Sequence, residues 1–224
     1  MKQIFNKYIY SKIGEWHKKN NKENQDTVYS FENDDIVFCA VADGVSSCKN
    51  SKVGAELACE AAGKLCRQEY KYFFAIEKDT AKWLIVSYIQ KQILKYAERN
   101  KQKPEDYAST LCFVCIDKHS KQMMTFTLGD SRIYFIRDKE AIPCVGSAQY
   151  CEDNRTYVTM TKNADYEAAI TFEDFTSCDS VLLCTDGVWR NFSNQFLKIM
   201  DCDLLAEYLD AHNISDDCTF LYVA

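Results

Sequence analysis

Three aspartates in this chain stand beside a glycine at the end of an apolar run. Asp43-Gly44 closes the run Ile36 to Ala42, Gly129-Asp130 follows the alternating Met124, Phe126 and Leu128, and Asp186-Gly187 follows Val181 to Cys184. Such pairs are common as plain turns. The chain has only 7 glycines, however, and three of them occupy this position. Gln25-Asp26 and Asp216-Asp217 add further carboxylates at the edges of extended segments. A carboxylate fixed at a strand end, beside a glycine that admits close approach, suits the oxygen coordination of a hard cation. The positions together read as one divided metal site.

The elements that must carry these residues follow from periodicity. Ile36 to Ala42 is apolar without a break, as a strand buried on both faces should be. After the loop Val45 to Asn50, the residues Val53, Leu57, Ala61 and Leu65 recur as one helix face, with Ser51 placed to cap it. A second helix is expected over Thr80 to Arg99, with Val86, Ile89, Ile93 and Tyr96 on one face. Ile4 to Ser11 and Val28 to Phe31 read as strands, and Gly14 to Glu23 as a lysine-rich loop. Ser109 to Ile116, Gln122 to Leu128 and Ile133 to Arg137 are strands whose short polar links predict consecutive antiparallel hairpins. From Pro143 to Asp179 the pattern is weak; Thr156 to Thr161 alternates as a strand would, and Asp165 to Ala169 suits a short helix. Val181 to Cys184 and Cys218 to Val223 are strands, with a helical turn or two at Leu204 to Leu209. Antiparallel strands that are apolar on both faces, with two long helices between them, imply two sheets with helices outside.

Composition narrows the function classes. At 224 residues and 47% hydrophobic content, one domain spanning 1–224 with a sizeable core is the simplest organisation. The net charge of -6 argues against a nucleic-acid partner, which needs a basic face. No stretch is long and apolar enough to span a membrane. The 12 cysteines, with no apolar signal segment at the N-terminus, predict free thiols in a reducing cytoplasm rather than a disulfide scaffold. Cys112 and Cys115 have zinc-ligand spacing but no second pair, and three positions apart on a strand they face opposite sides, as core residues would.

The order of the motifs carries a resemblance. Asn24-Gln25-Asp26, Val41-Ala42-Asp43-Gly44, Ala108-Ser109-Thr110, Leu128-Gly129-Asp130-Ser131-Arg132, Thr185-Asp186-Gly187-Val188-Trp189 and Asp216-Asp217-Cys218-Thr219 together resemble the metal-dependent protein phosphatases of type 2C. The likeness is to the short bacterial branch, in which a Gly-x-x-His stretch, here Gly14 to His17, precedes the Gln-Asp pair. The resemblance implies an α+β fold, a four-layer α-β-β-α sandwich of two antiparallel sheets flanked by helices. It implies hydrolysis of phosphoserine and phosphothreonine by a water held between two Mn2+ or Mg2+ ions, which activate it and neutralise the phosphoryl oxygens. Asp43 would bridge the ions and the Gly44 carbonyl would hold one of them. Asp186 and Asp216 would hold the other, Asp26 would ligate or orient a metal-bound water, and Asp130 would contribute to the third ion of bacterial relatives. Ser109 and Thr110 would pack beneath the site. The partners implied are a phosphorylated protein substrate and a cognate Ser/Thr kinase.

Two departures bear on phosphate recognition. Members of the family often carry an arginine five residues before the Asp26 position, and some a histidine after the Asp-Gly pair; here these are Asn21 and Val45. His17, beside Lys18, Lys19 and Lys22, is the candidate replacement, as phosphate clamp or general acid, against the plainer reading of a solvated loop histidine. His119 and His212 are expected at the surface, Asp217 in a turn or behind the ligands, and Trp16, Trp83 and Trp189 in packing. The same departures motivate a second reading, a catalytically weak relative that binds a phosphoprotein or kinase. The retained Asp43, Asp186 and Asp216 oppose it, since a binding module has no need of crowded carboxylates. A phosphoacceptor receiver domain also gathers aspartates at strand ends, but it needs alternating strand-helix units and a parallel sheet.

Overall fold

The computed structural model describes residues 5–144, 156, 158–192 and 194–224. Two five-stranded antiparallel sheets stack face to face. The first runs in the order β1 (Lys7–Lys12), β10 (Cys218–Val223), β9 (Ser180–Cys184), β6 (Arg132–Arg137), β7 (Glu140–Pro143). The second runs β2 (Asp26–Glu32), β3 (Ile36–Asp43), β4 (Leu111–Asp117), β5 (Gln122–Leu128), β8 (Ala169–Asp174). Each sheet is covered on its outer face by helices, which gives the four expected layers.

Three apolar clusters account for the stack. Val37, Cys39 and Val41 of β3 meet Val181, Leu183, Leu221 and Val223 between the sheets. Their neighbours Phe38, Ala40 and Ala42 point the other way, to α2 (Ser51–Phe73) and α3 (Lys78–Arg99). There Phe38, Phe113 and Phe126 form a ladder, with Phe113 and Phe126 stacked at 5.0 Å between centroids. Burying one such ring contributes about 2–3 kcal/mol. On the far side, Leu205, Ala206 and Leu209 of α7 (Cys202–Ala211) cover Leu182 and Phe220. This two-sided burial is why β3 reads as an unbroken apolar run. Cys112 and Cys115 divide between the inter-sheet and helix-side cores as their spacing implied, and the described cysteines are free thiols. Among the described residues no helix is long and apolar enough to cross a membrane.

Several local expectations are corrected. Ser51 does not cap α2: it is the first helical residue, its hydroxyl buried without a hydrogen-bond partner among the described residues, and Asn50 holds the cap position. The helix starts one residue earlier than a Ser51 cap would require, and the Ser51 main chain packs against Gly44, where an added Cβ would stand 2.7 Å from the Ser51 carbonyl. The link Gly129 to Ser131 is no hairpin but carries the chain from one sheet to the other, using Gly129 at φ 101°. Within Gly14 to Glu23 lies a short helix, α1 (Glu15–Lys19). Past Pro143, a four-residue α4 (Ala164–Glu167) precedes β8, a strand with a weak sequence signal because Ile170 and Phe172 are its only large apolar residues and it ends on Glu173-Asp174. Val158 to Thr161 forms a turn rather than a strand; Tyr157, like Ile4 and 145–155, lies outside the described residues.

Candidate active site

Strand pairing brings the first two carboxylates together. In the β2–β3 ladder Asp26 stands directly opposite Asp43. The Asp43 main chain is clamped in turn by Thr110: the Asp43 N–H donates to Thr110 Oγ1 at 2.9 Å, and the Thr110 N–H donates to the Asp43 carbonyl at 2.8 Å. Thr110 Oγ1 shares a further 2.8 Å bond with Ser131 Oγ, beside Asp130. Ser109 pairs with Gly44, so the Ser109-Thr110 segment does underlie the site. At the end of β9 the chain turns into the single helical turn α5 (Asp186–Trp189), which starts on Asp186.

The result is a compact oxygen cluster. Asp43, Asp130 and Asp186 each offer a carboxylate oxygen, all within 4.8 Å of one another. Asp216 is exposed on the adjoining loop, near enough for its charge to act on both Asp43 and Asp186. Asp26 is buried behind Asp43, its Oδ2 accepting from Thr185 Oγ1 at 2.8 Å. Asp26 Oδ1 and Asp186 Oδ1 are buried with no hydrogen-bond partner among the described residues. Lys52 Nζ donates to the Asp26 carbonyl at 2.6 Å and anchors α2 to β2.

Electrostatics make the cluster unfavourable as it stands. Burial pushes the Asp26 carboxyl up to about 8, helped by the charges of Asp217 and Asp186 and opposed by the Thr185 hydroxyl. Burial likewise raises Asp43 far above the carboxylate range, with Asp26, Asp186, Asp216 and Asp130 adding repulsion. Asp186 rises to about 7, from burial and then Asp130 and Asp216, with Arg190 opposing. Orphaned oxygens and crowded negative charge are the two features a divalent cation would relieve. An all-oxygen donor set is what Mg2+ or Mn2+ takes.

His17 is placed otherwise than the sequence suggested. It is 1% exposed on α1, so it is not a solvated loop residue. Its Nδ1 lies 2.8 Å from Asp217 Oδ1, and its Nε2 3.4 Å from Ser46 Oγ, in the loop that follows Gly44. Asp217 is a buried bracket: Oδ1 also accepts the Gly14 N–H at 2.7 Å and Oδ2 the Gln25 N–H at 2.6 Å. One side chain thus ties α1, the start of β2 and the Asp216 loop together. His17→Ala is expected to lower stability by about 2 kcal/mol, since it removes a fully buried ring packed beside the Asp217 carboxylate. A denaturation midpoint equal to the parent's would contradict this.

Other positions sort by burial. Asn21 is exposed at φ 52°, a left-handed turn after α1 that asparagine tolerates, so its local role is conformational. His119 and His212 are at the surface as expected. Trp16 and Trp83 are not packing residues, being 45% and 55% exposed, whereas Trp189 donates from Nε1 to the Asp130 carbonyl at 2.7 Å. Gly187 packs so closely that an added Cβ would stand 2.0 Å from the Asp217 carbonyl oxygen. Gly187→Ala should therefore displace the Asp216 loop and weaken Mn2+ binding in a calorimetric titration; unchanged affinity would show that the loop tolerates the shift.

Sequence reasoning missed Arg190. Its Nε lies 2.9 Å from Asp186 Oδ2 and its Nη2 3.3 Å from Asp130 Oδ2. The signal was available: an arginine four residues after an aspartate is the favourable spacing on a helical turn.

The arrangement has counterparts. The family model described as protein phosphatase 2C matches residues 13–214. The chain belongs to the protein phosphatase 2C family. It is therefore a protein phosphatase by descent, of a family that depends on metal ions. The fold of this phosphatase is similar to that of the serine/threonine phosphatase Stp1 from Staphylococcus aureus, at 17% identity and a TM-score of 0.70, covering 99% of this chain and 95% of that one. The S. agalactiae serine/threonine phosphatase is similar at 16% identity and TM-score 0.71, covering 98% and 99% of the two chains. RsbX, in a complex with magnesium, is similar at 12% identity and TM-score 0.64, covering 98% and 94%. No curated protein matches the sequence.

Proposed function

We propose that this phosphatase is a single catalytic domain that hydrolyses phosphoserine and phosphothreonine in proteins with two Mn2+ or Mg2+ ions. The observation that carries the proposal is the cluster of Asp43, Asp130 and Asp186 oxygens within 4.8 Å, in a chain of this family. Asp43, the Gly44 carbonyl, Asp186 and Asp216 are the groups we assign to the ions, and the unpartnered Asp186 Oδ1 supports that assignment. When bound, the ions supply an activated water and charge for the phosphoryl oxygens.

The remaining work belongs to the protein. Asp26, with Oδ2 held by Thr185 and Oδ1 without a partner among the described residues, would have one oxygen left to accept a hydrogen bond from a water. Thr110 and Ser131 fix the Asp43 main chain, so its carboxylate need not reorganise during the reaction. His17 and Asp217 are positioning residues that hold the Asp216 loop against β2. A phosphorylated protein is the substrate class, a cognate Ser/Thr kinase the implied counterpart, and the free buried thiols support work in a reducing cytoplasm.

Turnover of phosphoserine and phosphothreonine peptides in Mn2+, against a chelator control, tests the proposal. Phosphate release that requires the metal is expected. Retention of phosphopeptide without release would instead support the binding reading that Asn21 and Val45 motivate.

A further inference from the structure

Resting on the metal-centre reading above, we infer that Arg190 is a tethered cation that takes the place of a third metal ion between Asp130 and Asp186. Its guanidinium already bridges the two carboxylates, through Nε to Asp186 Oδ2 at 2.9 Å and Nη2 to Asp130 Oδ2 at 3.3 Å. Any ion seated between those oxygens must displace it.

The position is built rather than incidental. Arg190 is the residue after Trp189, whose ring its guanidinium approaches at 5.1 Å from the centroid. Arg132 stacks at 3.4 Å on the same ring, while Trp189 Nε1 donates to the Asp130 carbonyl. Asp130 Oδ2 also accepts from Thr156 Oγ1 at 3.2 Å, so that oxygen already has two partners. On Asp186 Oδ2 meets the arginine, and Oδ1 is without a hydrogen-bond partner among the described residues. The two carboxylates are thereby divided. Asp186 keeps one oxygen for an ion shared with Asp43, and Asp130 becomes a wall held by the protein's own charge. A planar fork suits this task, because it meets two carboxylates at once and carries its charge at every working pH.

The consequence is a smaller metal requirement. An ion held by two carboxylates and several waters binds weakly and is lost as the cation concentration falls. A charge attached to the chain cannot be lost in this way. This phosphatase should then reach full activity with two ions per chain.

Mn2+ stoichiometry by equilibrium dialysis, with turnover measured in parallel, tests the inference. The parent should bind two ions per chain, Arg190→Ala three, and the double variant Arg190→Ala, Asp130→Asn two again. Arg190→Lys should keep the parent stoichiometry, since it keeps a charge at the position. The Arg190 side chain is 52% exposed, so its variants should fold, which circular dichroism would verify. Three ions in the parent, with turnover intact, would overturn the inference and leave the phosphatase reading standing. So would two ions in Arg190→Ala. No bound ion and no turnover in the parent would overturn both.

Discussion

Asp43→Asn should lower Mn2+-dependent phosphate release by about a thousandfold, the several kcal/mol that metal charge supplies to catalysis at roughly 1.4 kcal/mol per tenfold. The effect should be the largest of any single site substitution. Asp43 stands opposite Asp26 in the ladder and within reach of Asp130 and Asp186, so its carboxylate is shared by the whole cluster. The substitution keeps the shape, and the Thr110 clamp acts on the main chain alone, so the fold should be retained. Calorimetry with Mn2+ separates binding from chemistry. Unchanged stoichiometry and affinity in Asp43→Asn would remove this residue from the metal centre.

The metal-free protein should become less stable as pH rises, and Mn2+ should reverse the trend. The folded pKa values of Asp26, about 8, and Asp186, about 7, lie above the unfolded value of about 3.9. Asp43 is raised in the same direction. The folded state therefore holds protons that the unfolded chain has released, and this contribution is lost as pH climbs from about 4 to about 8. A metal-free melting temperature higher at pH 5.5 than at pH 8 is the expected result. Saturating Mn2+ at pH 8 should add about 4 kcal/mol at a thousandfold excess over Kd, or roughly 10 °C for a chain of this size. Protons compete for the same oxygens at pH 5.5, so the gain there should be smaller. A melting temperature indifferent to Mn2+ and chelator alike at pH 8 would contradict the account.

What could be read from sequence follows the range of the interactions. β3 was legible because both its faces are buried, between the sheets and under α2 and α3, so no polar residue interrupts it. Cys218–Val223 was legible because it too is buried on both faces, so that apart from Thr219 its residues are apolar or aromatic. The β4–β5 hairpin was set by a short polar link, but the equally short link after β5 joins two sheets, and only the stacking of those sheets decides which. Asp26, Asp43, Asp130 and Asp186 could be gathered from their places at strand ends and from the family's order of motifs. His17 could not be placed, because its burial depends on Asp217, two hundred residues away. Ser51 looked like a cap because local chemistry favours serine there, yet the cap falls one residue earlier, at Asn50, and leaves the Ser51 hydroxyl inside the first turn of the helix. Arg190 carried a local signal but sat outside the motif, and its partner Asp130 comes from another part of the chain.

The central claim is that the Asp43 cluster is the metal centre on which hydrolysis depends. Anomalous scattering at the manganese edge, from crystals of the active protein grown in Mn2+, tests it most directly. The account predicts two peaks flanking the Asp43 carboxylate, one also beside the Gly44 carbonyl and the other beside Asp186 and Asp216, with none between Asp130 and Arg190. Crystals of protein that releases phosphate, yet shows no peak within coordination distance of Asp43, would contradict it.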